Sequence, residues 1–266
     1  MELWEDRSRM SAISELQKVL DPHDFKGVKN CYIDYNLKYY LKKYLQPDQL
    51  DRVLEIGCGI GRLVEFLSKY VKHAHGIDLI DNFIDDCNAN PKKKFNTTYF
   101  KISEINKISE QQINKAYIVW VLMYFKNDKE LVHALSEYNN LLPDRHSILV
   151  IEQVKIVTDI EDCDGRFYCK YRTIDNYVRL FEDAGYIVEK IVLLGERKRG
   201  VFIRSLLKWS RLYKSLPKSF SHLSPILFLA DKVLMDMGIV RRHANDMIPT
   251  DTLFLLRDKP PRRDDV

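Results

Sequence analysis

From Leu50 onward, short apolar runs alternate with longer stretches whose apolar positions recur every three or four residues. The short runs predict strands at 52–57, 73–78, 97–101, 115–120 and 146–153. Between the last two, Leu131, Ala134, Leu135, Tyr138, Leu141 and Leu142 fall at helical spacing from about Asp128 onward, and Pro143 stops the pattern. Past the fifth run come an irregular stretch over 155–170, a helix around Thr173–Ala184, Gly185 and a strand at Tyr186–Leu194. A last strand, Thr252–Leu256, follows only much later in the chain. This alternation predicts an α/β fold: a parallel sheet with helices on both faces. Ligands of such sheets sit at the carboxyl ends of the strands, so candidate residues are sought just past each one. Residues 1–49 read as a helical segment, in which Tyr32, Tyr35, Leu37, Tyr39, Tyr40, Leu41 and Tyr44 crowd a lysine-studded helix ending near Pro47. It either packs on the sheet or forms a flap over the ligand cleft.

The first strand ends in the block Val53-Leu54-Glu55-Ile56-Gly57-Cys58-Gly59-Ile60-Gly61-Arg62, followed by a helical pattern through Leu63, Phe66, Leu67 and Tyr70. Glycine at alternate positions lets the backbone turn sharply and approach a ligand. The helix then presents its first N–H groups to that ligand. Asp78 closes the next apolar run about twenty residues on, where a ribose-binding carboxylate belongs in a nucleotide-binding βαβ unit.

The E-x-G-x-G-x-G spacing resembles motif I of the class I S-adenosylmethionine-dependent methyltransferases, with Asp78 as their second acidic motif. The resemblance implies S-adenosylmethionine as cofactor and a seven-stranded Rossmann-like sheet of order 3-2-1-4-5-7-6, only the seventh strand antiparallel. It implies Glu55, Gly57, Gly59, Gly61, Arg62, Asp78, Ile102, Ser103 and Trp120 as cofactor residues. Among them the glycine loop passes the amino-acid end and Asp78 takes the ribose hydroxyls. Ile102 packs on the adenine, and Ser103 bonds its amine. Trp120-Val121-Leu122-Met123-Tyr124 resembles the family's segment beside the transferable methyl, so Trp120 or Tyr124 is expected to touch cofactor or acceptor. The Gly-Cys-Gly-Ile-Gly-Arg run, the W-V pair and an acidic stretch before Tyr171-Arg172-Thr173 are also similar to the protein N-terminal α-amine methyltransferases, over about 50–190. By that likeness Arg62 grips the cofactor carboxylate. Two positions depart from it: Tyr124 stands where that subfamily has a catalytic histidine, and Gln153 where it has a catalytic aspartate.

Methyl transfer chiefly needs alignment and exclusion of water. A nitrogen acceptor needs only its lone pair, whereas a hydroxyl needs a general base. Glu152, at the end of the fifth strand, is a candidate base beside Tyr124. His243 and Asp246 are others, in the cluster Arg241-Arg242-His243-Ala244-Asn245-Asp246. That cluster lies in an insertion, 196–250, between a methyltransferase core at 50–195 and the last strand and tail at 251–266. Its first part is basic, with Phe202, Ile203, Leu206, Leu207, Trp209 and Leu212 interleaved at near-helical spacing. Such a segment, 197–218, reads either as a helical cap on the core or as a contact with an anionic membrane or lipid carrier.

Composition narrows the partners. The 266 residues are 45% hydrophobic and carry a net charge of only +4, so charge does not demand nucleic acid, and no RNA-binding motif accompanies the basic segment. Five cysteines without a C-x-x-C pair read as reduced thiols, with no metal implied, in a cytoplasmic protein that can touch the inner membrane face. The acidic Met1–Asp6 start carries no secretory signal, and the apolar run Ile226–Ala230 is too short to span a bilayer. Three functions fit these features: O-methylation of a saccharide or glycolipid, N-methylation of a protein or small amine, and a non-catalytic cofactor-binding subunit. The amine reading requires Tyr124 and the acidic residues of 159–164 to form a cation-receiving channel.

Overall fold

A computed structural model describes residues 2–11, 15–24, 27–143, 146–155, 157–164, 167–195, 224–236 and 250–259. The strands are β1 (Arg52–Ile56), β2 (His73–Asp78), β3 (Thr97–Lys101), β4 (Lys115–Val119), β5 (Ser147–Val154), β6 (Ile160–Asp164), β7 (Phe167–Tyr171), β8 (Tyr186–Gly195) and β9 (Thr250–Asp258). Seven of them form one sheet in the order β3-β2-β1-β4-β5-β9-β8. Strands β1 to β5 pair in parallel, and β9 is antiparallel to both its neighbours, with Val150 opposite Phe254. Counting only the sheet's own strands, this is the 3-2-1-4-5-7-6 order expected from the resemblance.

Side-chain alternation along the strands splits the core into two layers. Val53, Tyr117, Leu149 and Ile151 face one side, against helices α3 (Val28–Leu45) and α4 (Arg62–Leu67). Leu54, Ile118, Val150 and Phe254 face the other, against α6 (Asp128–Leu141) and α7 (Ile174–Asp183). Helix α5 (Asp81–Ala89) packs beside β2 and β3, burying Phe83 and Ile84. The caps follow from composition. Asn127 accepts from the Lys129 N–H at the start of α6, and the Thr173 hydroxyl accepts from Asn176 N–H at the start of α7.

The N-terminal segment contributes three helices in two places. Helix α3 packs on the sheet through Leu37, Tyr40 and Leu41, whereas α1 (Glu2–Ser8) and α2 (Leu16–Val19) lie over the strand ends. The stretch 155–170 is not irregular throughout: β6 and β7 form an antiparallel hairpin, Cys163 opposite Tyr168. Its first strand, Ile-Glu-Asp-Cys-Asp, has low strand propensity and an exposed face, so only pairing with the aromatic β7 makes it a strand. Helix α8 (Ser224–Asp236), from the insertion, packs across α3. The Ser224 hydroxyl donates to the Val28 carbonyl at 3.0 Å, and Phe228 meets Tyr32 edge-on at 5.9 Å. Its opposite face leaves Ile226, Leu229 and Val233 exposed. The basic segment 197–218, His243 and Asp246 lie outside the described residues.

Candidate active site

A cavity of about 1220 Å³ opens at the carboxyl ends of β1, β2 and β4, walled by the loops after those strands, by α1 and α2, and by the β6–β7 hairpin. Its floor is the glycine loop. The N–H groups of Gly57 and Cys58 both donate to the Ile77 carbonyl, at 2.8 and 3.0 Å, which ties β1 to β2 where the chain turns. Gly57 has φ +77°, and a Cβ there would stand 2.3 Å from the Val121 Cγ2. Gly61 has φ +71° and would meet the Tyr99 hydroxyl at 2.6 Å. Gly61 therefore serves close packing under the start of α4 rather than the cavity surface.

Asp78 holds this loop in shape, accepting from Gly59 N–H at 2.7 Å and from Ile80 N–H at 2.8 Å. Burial raises its carboxyl above the usual range, and those two N–H groups resist the shift. A carboxylate has about four acceptor positions, so the two spent on the backbone leave others for the cavity it lines. Glu55 is buried beside it and accepts from the Tyr117 hydroxyl at 3.2 Å. Burial pushes its pKa to about 8 against the pull of Arg62. Arg62 itself is aimed by α3, its Nη1 donating to the Asp34 carboxylate at 2.5 Å. That carboxylate also pairs with Lys38. Ile102 lines the cavity, but Ser103 does not. The 3₁₀ turn that begins at Ile102 leaves Ser103 exposed, which corrects its expected place at the adenine.

The segment after β4 carries most of the opposite wall. Trp120 adopts φ +57°, uncommon for a bulky residue and informative when the surroundings enforce it. Its backbone N–H donates to Ile151 O at 2.9 Å, and its Nε1 donates to Asp251 Oδ1 at 3.0 Å. Glu152 is also part of this restraint. It is fully buried, and one carboxyl oxygen accepts from Val121 and Leu122 N–H at 2.7 and 2.6 Å. Burial pushes it to about 7 although N–H groups from Leu122, Val121 and Met123 point at it. Glu152 therefore shapes the loop instead of standing at the cleft rim as a base. Strand alternation gives the reason: Gln153, one residue on, is the side chain that lines the cavity.

Arg172 grips the same loop from the other side. Fully buried, it donates to the carbonyls of Leu122 at 3.2 Å and Phe125 at 2.8 Å, and from Nε to Asp128 at 2.9 Å. Burial raises the Asp128 carboxyl, but Arg172 and Lys170 outweigh it and hold that carboxyl below its ordinary value. The segment that presents Trp120 and Tyr124 is thus clamped at its N–H groups by an acid and at its carbonyls by a base.

Beyond Trp120 the cavity wall is aromatic. Tyr124 meets Trp4 of α1 edge-on at 5.5 Å, and Tyr168 and Tyr171 of the hairpin add two further rings. Arg7 lies over Trp4 at 5.0 Å, and Lys126 over Tyr168 at 5.1 Å. From the stretch 159–163 Cys163 lines the cavity, whereas Asp159 accepts from Thr173 N–H at 2.7 Å. None of Asp159, Glu161 and Asp162, acids on which the amine reading's channel draws, lines the cavity. Sequence reasoning missed Arg172, Asp251, Asp34 and Trp4 as parts of this site. Only Arg172 stood in a noticed run, Tyr171-Arg172-Thr173, and nothing local showed that its side chain turns inward.

Residues 53–144 match the family described as a methyltransferase domain. No curated protein matches the chain. A Leishmania major S-adenosylmethionine-dependent methyltransferase superposes with a TM-score of 0.57 at 15% identity, covering 96% of this chain and 80% of that one. An O-methyltransferase from a Brevibacillus brevis polyketide synthase, with S-adenosyl-L-homocysteine bound, gives 0.53 at 16%, over 94% and 82%. The Haemonchus contortus phosphoethanolamine N-methyltransferase 2, with S-adenosyl-L-methionine bound, gives 0.53 at 15%, over 93% and 60%. At such identities the superpositions speak for the fold, and the matched segment holds the glycine loop, Asp78 and the clamped loop after β4. Residues 53–144 thus match a methyltransferase domain, and the chain as a whole has the fold of the S-adenosylmethionine-dependent methyltransferases it superposes on.

Proposed function

We propose that this enzyme transfers the methyl group of S-adenosylmethionine to a hydroxyl of a saccharide, such as a surface glycan on a lipid carrier. The residues present fit the cofactor. Arg62 offers a fork for its carboxylate, Glu55 a counter-charge for its ammonium, Asp78 acceptors for its ribose diol and Ile102 an apolar face for its adenine. The cofactor supplies an activated methyl on a sulfonium. The chain's own residues orient the acceptor, exclude water and remove the hydroxyl proton.

The aromatic wall of Trp4, Tyr124, Tyr168 and Tyr171 is the observation that carries the saccharide reading. Aromatic faces suit the C–H faces of a sugar ring, and the cations beside them disfavour a positively charged amine. N-methylation of a protein or small amine is the alternative; among the structural neighbours, one acts as an N-methyltransferase and another as an O-methyltransferase. We assign the proton to His243 or Asp246, because Glu152 is committed to the backbone and Gln153 is not a base. His243→Ala or Asp246→Asn is expected to cut turnover by about two orders of magnitude while sparing cofactor affinity. Near-normal rates in both variants would remove this assignment.

A second expectation concerns Glu55. Its carboxyl holds a proton below about pH 8 in the free enzyme, and a bound ammonium favours the ionised form. Binding of S-adenosylmethionine should release a proton, and affinity should rise with pH up to about 8. Calorimetry in two buffers of different ionisation enthalpy measures that proton, and Glu55→Gln should abolish its release.

The acceptor test uses methyl-labelled S-adenosylmethionine and an extract of cells lacking this enzyme, fractionated into glycan, protein and small-molecule pools. Label in the glycan pool supports the proposal; label in protein or a small amine supports the alternative. The basic segment 197–218 and the exposed Ile226, Leu229 and Val233 of α8 support contact with an anionic membrane. No helix among the described residues is long and apolar enough to cross one.

A further inference from the structure

We infer that the saccharide acceptor is anionic, with a carboxylate or phosphate group held between Arg7 and Lys126. This inference rests on the saccharide reading and adds the charge of the substrate. The cations of the site differ in how they are compensated. Arg62 is paired with Asp34, and Arg172 and Lys170 with Asp128. Arg7 and Lys126 differ: each lines the cavity, and neither has a carboxylate within ion-pair distance among the described residues. Each lies over an aromatic ring instead, Trp4 and Tyr168 respectively. A ring face attracts the charge but takes up few of the N–H donors.

Arg7 spends one donor on the Leu20 carbonyl at 3.2 Å and is half-buried. Asp21 and the Tyr124 hydroxyl attract it only at longer range. A partly desolvated guanidinium without a paired anion is costly, and its planar fork matches a carboxylate or phosphate. Lys126 is exposed, lines the same cavity and adds a point charge beside Tyr168 of the hairpin. The rings of Trp4, Tyr124 and Tyr168 line the same cavity as the two cations, so one ligand can stack its sugar ring while its acidic group meets both. Glu2, Glu130 and Glu137 also line the cavity, but all three are exposed, and no ion pair joins any of them to Arg7 or Lys126 among the described residues.

The test separates the charge from the sugar. The glycan pool labelled by the full-length enzyme is resolved on an anion exchanger into neutral and acidic saccharides. Label in the acidic fraction is expected. If treatment with cold aqueous hydrofluoric acid, which cleaves phosphate esters, then moves the label to the neutral fraction, the anion is a sugar phosphate; if the label stays acidic, it is a uronate-type carboxylate. Label in the neutral fraction overturns the inference and leaves the saccharide reading standing, whereas label only in protein or amines overturns both. Arg7→Gln and Lys126→Gln should each raise the KM for the labelled acidic fraction by about tenfold or more, with the Kd for S-adenosylmethionine unchanged. Lys126 is exposed and its replacement leaves the fold intact, so an unchanged KM in Lys126→Gln, or in both variants, counts against the inference.

Discussion

Gly57→Ala is expected to lower the melting temperature by roughly 5–15 °C and to weaken S-adenosylmethionine binding by more than about tenfold. Two separate costs contribute. Gly57 has φ +77°, and an L-residue held in that region costs about 1–2 kcal/mol. The new methyl would also stand 2.3 Å from Val121 Cγ2, and overpacking of this kind costs about 1–3 kcal/mol. Val121 cannot simply swing aside, because its χ1 is stiff and its own N–H is bound by Glu152. The clash thus pushes on the segment that forms the cavity wall, which carries the damage from the glycine loop to the binding surface. The double variant Gly57→Ala, Val121→Ala should recover the clash part and leave the backbone part. Calorimetric melting and titration with the cofactor measure both effects. A melting temperature within a degree of the parent would show that the loop adapts at no cost, and the argument would fail.

The parts legible in the sequence are those whose physics is local. Strand and helix periodicity gave the sheet's elements, and a run of alternating glycines after a strand has few structural uses besides a tight ligand-facing turn. Asp78 was legible because it ends a strand beside that loop. The unread parts depend on partners distant in sequence. The acidic strand β6 exists by pairing with β7, Trp120 meets Asp251 across 131 positions, and Arg62 meets Asp34 on a helix that precedes the sheet. Glu152 shows the sharpest limit. Its position at a strand end was read correctly, yet strand parity puts it inside and Gln153 in the cavity, so a one-residue difference exchanges a structural acid for a lining amide.

That exchange makes Glu152 the most informative residue to replace. If it were the base, Glu152→Gln would cut turnover by about a hundredfold or more. As a clamp, it should tolerate glutamine, whose carbonyl oxygen can still accept from Val121 and Leu122 N–H, and turnover should stay within about threefold. Glu152→Ala should instead leave two buried N–H groups unpaired and cost about 2–5 kcal/mol. Arg172→Ala should cost about 3–5 kcal/mol by stripping two carbonyls and Asp128 of their donor, and Arg172→Lys should rescue little because lysine lacks the fork. A pH series adds a readout that packing alone would not move. The Glu152 carboxyl is raised from 4.5 to about 7, so the folded state binds more protons than the unfolded chain between those values. Stability from this group is therefore complete below about pH 4.5 and is lost as pH rises through about 7. Urea unfolding of the parent should show that decline, whereas Glu152→Gln, which has no proton to lose, should lack the Glu152 part of it and keep the part due to Glu55 up to about pH 8. A hundredfold fall in turnover with an unchanged pH–stability profile would return Glu152 to the reacting atoms and remove the clamp.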